Sequence, residues 1–119
     1  MTRTKPTPEG KTKTAVKKLL DQYGHFYFSP VMGTGKAGIP DIVVCLYGRF
    51  IGIEVKATPK EKPTALQKRR AQEIRAAGGE VFLVHADNFE QFAFLMNNFM
   101  RLPPKKCQQR MIPFLLPEA

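Results

Sequence analysis

The sequence predicts a single α+β domain, a mixed β-sheet flanked by helices in the element order α-β-β-β-α-β-α. Three observations predict it. Apolar residues recur at helical spacing near the start of the chain and again after residue 87. Two β-rich runs between residues 39 and 57 surround a glycine turn. A capped helical stretch ending at Gly78-Gly79 separates those runs from a further short apolar run. A chain of 119 residues buries roughly two thirds of its unfolded surface, so residues 1–119 suffice for one core.

The elements follow in order. Residues 1–7 are basic and polar and form an arm. A helix starts at Pro8, which suits a first helical turn, and stops at Gly24 after Tyr23. Ala15, Val16, Leu19, Leu20 and Tyr23 mark its buried stripe. Glu9 lies within about 20° of Val16 and Leu20, on the inward side. His25–Val31 forms a short strand that Pro30 places at an edge or closes. Gly33-Thr-Gly-Lys36-Ala-Gly38 is a basic loop, and it lacks the first glycine and the Ser/Thr of a nucleotide-phosphate loop. Ile39–Tyr47 and Phe50–Ala57 form a hairpin about Gly48-Arg49. Thr64–Ala77 is a helix capped by Thr64 with Gln67 in the capping-box position. Val81–His85 is a buried strand. A last helix, from Asp87 or Asn88 to Met100, buries Phe89, Phe92, Leu95, Met96 and Phe99. The proline-containing tail, 101–119, has no regular pattern.

Charge narrows the partners. Nineteen Lys and Arg against ten Asp and Glu give a formal net charge of +9, the footprint of a nucleic-acid binder. Only two cysteines occur, Cys45 in an apolar run and Cys107 in the basic tail, which argues against a disulfide framework and for a reducing compartment. No signal region or membrane-spanning run is visible, so the cytoplasm is the expected location. His25 and His85 lack a ligand partner at short spacing and read as packing residues.

The hairpin carries the chemistry. A two-residue turn at Gly48-Arg49 pairs Tyr47 with Phe50 and sets Asp41 across from Lys56, with Glu54 on the same face and diagonal to Asp41. Two carboxylates and an ammonium then meet. Such a pair suits Mg²⁺ or Mn²⁺, which take oxygen ligands, acidify water and stabilise charge on a phosphodiester. Asp41 and Glu54 would be ligands, and Lys56 would orient the attacking water or stabilise charge. Without a metal, the pair raises the pKa of one member. The competing reading is a solvated ion-pair face, worth under about 1 kcal/mol. Against it, the charges sit inside otherwise apolar runs, where each needs a partner.

Gly38-Ile-Pro-Asp41 followed by Ile53-Glu-Val-Lys56 resembles the core of the PD-(D/E)xK nuclease superfamily. Residues 8–85 more narrowly resemble the stand-alone VRR-NUC domains: a helical glutamate, a Gly-rich loop, Gly-x-Pro-Asp, a turn, Glu-x-Lys, then Thr-x-Leu-Gln opening a helix that ends in Gly-Gly. The resemblance implies a restriction-endonuclease-like fold, Mg²⁺ or Mn²⁺ dependence, cleavage of structured DNA including four-way (Holliday) junctions, and a homodimer. It carries over Asp41, Glu54 and Lys56, with the main-chain carbonyl of Val55 as a further metal ligand. Glu9 matches the helical glutamate and Gln67 the helical glutamine.

Each of these last two also has a plainer role. Glu9 favours the positive end of its helix, and Gln67 completes the cap of Thr64. Lys36, Lys60, Lys62, Lys68 and Arg69, with Arg70 and Arg75, would meet the DNA backbone or else form a solvated face. The functional expectation is a metal-dependent endonuclease selecting DNA by structure. The rival is a DNA-binding module of the same fold without catalysis. A basic structural protein is a third reading, and it leaves the charged cluster unexplained.

Overall fold

The computed structural model describes residues 7–22, 26–30, 37–46 and 48–101. The arm (1–6), Tyr23, His25, Val31, Lys36, Tyr47, Cys107 and the tail from 102 onward lie outside the described residues, as does the side chain of Phe99. The elements are α1 (Pro8–Gln22), β1 (Phe26–Phe28), β2 (Ile42–Leu46), β3 (Arg49–Val55), α2 (Ala65–Ala76), β4 (Glu80–Val84) and α3 (Phe89–Arg101), with a 3-10 turn at Ala86–Asn88. The expected order holds. The sheet runs β1-β2-β3-β4, antiparallel between β1, β2 and β3 and parallel between β3 and β4.

Period-two alternation sets one sheet face. Ile42, Val44 and Leu46 of β2 join Ile51, Ile53 and Val55 of β3 and Val84 of β4 in one core. Val16 and Leu20 of α1 close it at one side, and Phe92 and Met96 of α3 at another. Phe92 stands edge-on to Phe82 of β4, ring centroids 5.6 Å apart. Thr12 extends the buried stripe of α1 and satisfies its hydroxyl on the Pro8 carbonyl at 3.2 Å.

The opposite face is only partly covered. The N-terminal half of α2 lies over Glu54. Beyond it Phe26, Phe28 and Phe50 remain exposed, and Cys45 is a free, exposed cysteine. The hairpin itself is buried on both faces from Ile42 to Val44 and from Ile51 to Val55, and it is exposed at Cys45 and Phe50 near the turn. Helix α2 is too short a cover, and β1 is an edge strand ending two residues before Pro30. Strand β4 is half-buried rather than buried, with Leu83 exposed. Leu95, expected in the core, is 36% exposed, because α3 turns Phe92 and Met96 inward instead.

The hairpin register also differs. Leu46 pairs with Arg49 and Ile42 with Ile53, and Gly48 lies between the strands at φ 78°. Arg49 belongs to the strand rather than to the turn, and glycine takes the positive φ at 48 without steric cost. The shift is two residues along the pairing. One residue would have turned every side chain over; two preserve the faces.

Candidate active site

Continued by one residue, the observed register sets Asp41 against Glu54, not against Lys56. Two glycines deliver Asp41 there. Gly38, at φ 79°, abuts Leu66 so closely that a Cβ would lie 2.8 Å from the leucine Cγ. Gly52 makes room for Pro40, whose Cγ would lie 2.5 Å from an added Cβ. The chain thus passes between α2 and β3, and Arg70 Nε tethers it by donating to the Ala37 carbonyl at 3.0 Å. Asp41 arrives at the mouth of β2, where its Oδ2 accepts the Val55 N–H at 2.8 Å.

Glu54 is 6% exposed, on the sheet face that α2 covers. Gln67 Nε2 donates to Glu54 Oε1 at 3.1 Å, and Gln67 Oε1 accepts the Lys56 ammonium at 2.9 Å. The same Oε1 accepts the Thr64 N–H at 2.9 Å, while Thr64 Oγ1 accepts Gln67 N–H at 3.1 Å. Gln67 therefore caps α2 and, with the same amide, bridges Glu54 to Lys56. Lys56 sits beside the acidic pair through this amide, at the end of β3, where its N–H donates to the Val84 carbonyl at 2.9 Å. The parallel register, continued, places half-buried His85 next to Lys56.

Burial pushes the Glu54 carboxyl up to about 8, and the charge of Asp41, a hydrogen bond with Asp41 and the charge of Glu9 push the same way; Lys56 opposes them. One member of the pair thus holds its proton near neutral pH, as two close carboxylates require. Helix α1 contributes two groups. Lys13 Nζ lies 3.8 Å from Asp41 Oδ1 and 3.8 Å from Glu9 Oε1. Glu9 reaches the cluster through Lys13 and through its field on Glu54. Lys13 was missed by the sequence reading, because its spacing four residues from Glu9 is that of an ordinary surface ion pair.

Among the described residues no three His, Cys, Asp or Glu side chains form a ready metal-holding group. The donor set is nevertheless of the right kind for Mg²⁺ or Mn²⁺: two carboxylates on facing strands, with water and substrate oxygens left to complete the shell. Val55, whose carbonyl the resemblance adds to the donors, lies between Glu54 and Lys56 at the end of β3.

The basic residues divide. Lys60, Lys62 and Lys68 are exposed at or near the start of α2. Arg69 and Arg70 lie 3.9 and 2.8 Å from Glu73, and Arg75 lies 2.8 Å from Glu80, so part of the expected positive face is internally neutralised. A cleft of about 220 Å³ between α2 and β4 adjoins Glu54 and Gln67. No described helix is long and apolar enough to cross a membrane. Comparisons with known protein families, curated proteins and solved structures found no match.

Proposed function

We propose that this chain is a Mg²⁺- or Mn²⁺-dependent DNA endonuclease of restriction-endonuclease-like fold, acting on branched or otherwise structured DNA. The observation that carries the reading is the meeting of Asp41 and Glu54 across β2 and β3, with Lys56 held beside them by Gln67. The resemblance of residues 8–85 to stand-alone VRR-NUC domains supports the same reading. So does the net charge of +9. A cytoplasmic setting belongs to this proposal.

A divalent cation bound at the pair supplies an acidified water and positive charge beside the phosphoryl oxygens. The chain does the rest. Asp41 and Glu54 would hold the cation, with Glu54 in its ionised form. Lys56 places its ammonium where charge grows on the phosphate or orients the attacking water, and Gln67 fixes the direction of both Lys56 and Glu54. Lys60, Lys62, Lys68 and Arg69, with Lys36 from the loop, grip the DNA backbone without reading base sequence. Selectivity then comes from DNA shape. A two-fold dimer would cut two strands symmetrically, which suits a four-way junction.

The test incubates labelled four-way junction, flap and linear duplex with the protein, in Mg²⁺, in Mn²⁺ and in chelator. Cutting is expected in either metal, to be absent in chelator, and to prefer branched substrates. Asp41→Ala, Glu54→Ala and Lys56→Ala should each reduce it by at least about a hundredfold while leaving DNA binding in place. Equal cutting by the wild type and the three variants would identify a contaminant and defeat the assignment. Binding without cutting in every metal would favour a non-catalytic DNA-binding module.

A further inference from the structure

We infer that Lys13 is the built-in counter-ion of Asp41, standing in the metal-free protein beside the candidate cation ligand and yielding that place when a divalent cation binds. The inference rests on the metal-binding reading of Asp41 and Glu54. It goes beyond that reading in giving α1 a part in setting metal affinity.

The two lysines of the site are held differently. Lys56 donates a hydrogen bond of 2.9 Å to Gln67 and is fixed by an amide that is itself fixed by the cap of α2. Lys13 makes no such bond. Its Nζ stands 3.8 Å from one oxygen of Asp41 and 3.8 Å from one oxygen of Glu9, beyond hydrogen-bonding distance but within strong Coulombic range. It therefore supplies charge without a directional bond to break.

Its surroundings allow it to leave. The Lys13 side chain is 37% exposed, so the released ammonium enters water rather than a closed core. Exposed ion pairs of this kind contribute little, so separation from Asp41 costs little. Asp41 Oδ2 is already taken by the Val55 N–H, which leaves Oδ1, the oxygen nearest Lys13, as the freer donor toward a cation. An ammonium and a divalent cation cannot both lie against that oxygen without mutual repulsion. Lys13 thus weakens metal binding in the free protein and shields Asp41 and Glu9 from each other until a metal arrives.

Neutralising Lys13 should strengthen cation binding. Mn²⁺ titration by calorimetry, with free Mn²⁺ followed by electron paramagnetic resonance, is expected to give Lys13→Met an affinity about tenfold above the wild type. Lys13→Arg, which keeps the charge, should stay near the wild-type value. In chelator Lys13→Met should melt close to the wild type, and Mn²⁺ should raise its melting temperature more than that of the wild type, a difference that a purely structural lysine would not produce. Equal or weaker Mn²⁺ affinity in Lys13→Met, with the wild type binding normally, would overturn the counter-ion role and leave the acidic pair standing. Tighter binding in Lys13→Arg would also overturn it, because charge would not be the cause. Absence of Mn²⁺ binding in all three proteins would remove the metal site itself, and this inference with it.

Discussion

Glu54 is placed where its charge is hardest to keep, on a covered sheet face and against Asp41. Its proton is held up to a pKa of about 8, against 4.5 in an unfolded chain, first by burial and then by Asp41. The linkage has a definite sign. A carboxyl with a raised folded-state pKa contributes stability that is complete below 4.5 and is lost as pH climbs through about 8. Glu80, lowered by the Arg75 guanidinium and the Val81 N–H against the opposing effect of burial, acts in the other direction and in a more acidic window. Metal-free protein should therefore lose thermal stability between pH 4.5 and 8, and Glu54→Gln should flatten that loss. Melting curves in chelator across this range check it; stability that rises over the same interval would contradict the placement of Glu54.

The pattern Pro-Asp followed by Glu-x-Lys made Asp41, Glu54 and Lys56 legible as a group in the sequence, and the repulsion within the pair was foreseeable from their proximity. Gln67 was legible as the capping partner of Thr64, and the oxygen that completes the cap also takes the Lys56 ammonium. Lys13 was not singled out, because an i,i+4 pair on a helix ordinarily reads as a solvated surface contact. Only the tertiary approach of α1 to the mouth of β2 turns it toward Asp41.

At the scale of elements, the order of helices and strands was legible and the register was not. Glycine marked the turn, but pairing Leu46 with Arg49 depends on the φ of Gly48, which a sequence does not display. The site survived the error because a two-residue shift keeps each side chain on its face. The exposed Phe26, Phe28 and Phe50 were illegible for a different reason: how far a helix covers a sheet face is a matter of its placement. The Gly52–Pro40 contact likewise belongs to tertiary structure, and it seats the residue before Asp41 against β3. Gly52→Ala should push Pro40 away from β3, at a cost of about 1–3 kcal/mol in stability, and displace Asp41. Urea unfolding together with DNA cutting measures this, and the loss of cutting should exceed what the unfolded fraction explains. A variant as stable and as active as the wild type would show that the close approach is unimportant.

For the whole molecule, charge is arranged in two layers. Acidic groups from α1, β2 and β3 gather at one end of the sheet, and exposed Lys60, Lys62 and Lys68 stand nearby at the entrance to α2. On the proposed reading, the net +9 would draw in a polyanion, and the local acidic pair would need a cation before a phosphate could approach it. The expected positive face of α2 proved only partly available, since Glu73 and Glu80 engage three of its arginines. The central claim, a divalent cation held by Asp41 and Glu54, is tested most directly by counting protons. Mn²⁺ titrated calorimetrically at pH 7 into the protein, in two buffers of different ionisation enthalpy, should release close to one proton per cation bound, and Glu54→Gln should release none. Binding without proton release in the wild type, or no binding, would contradict it.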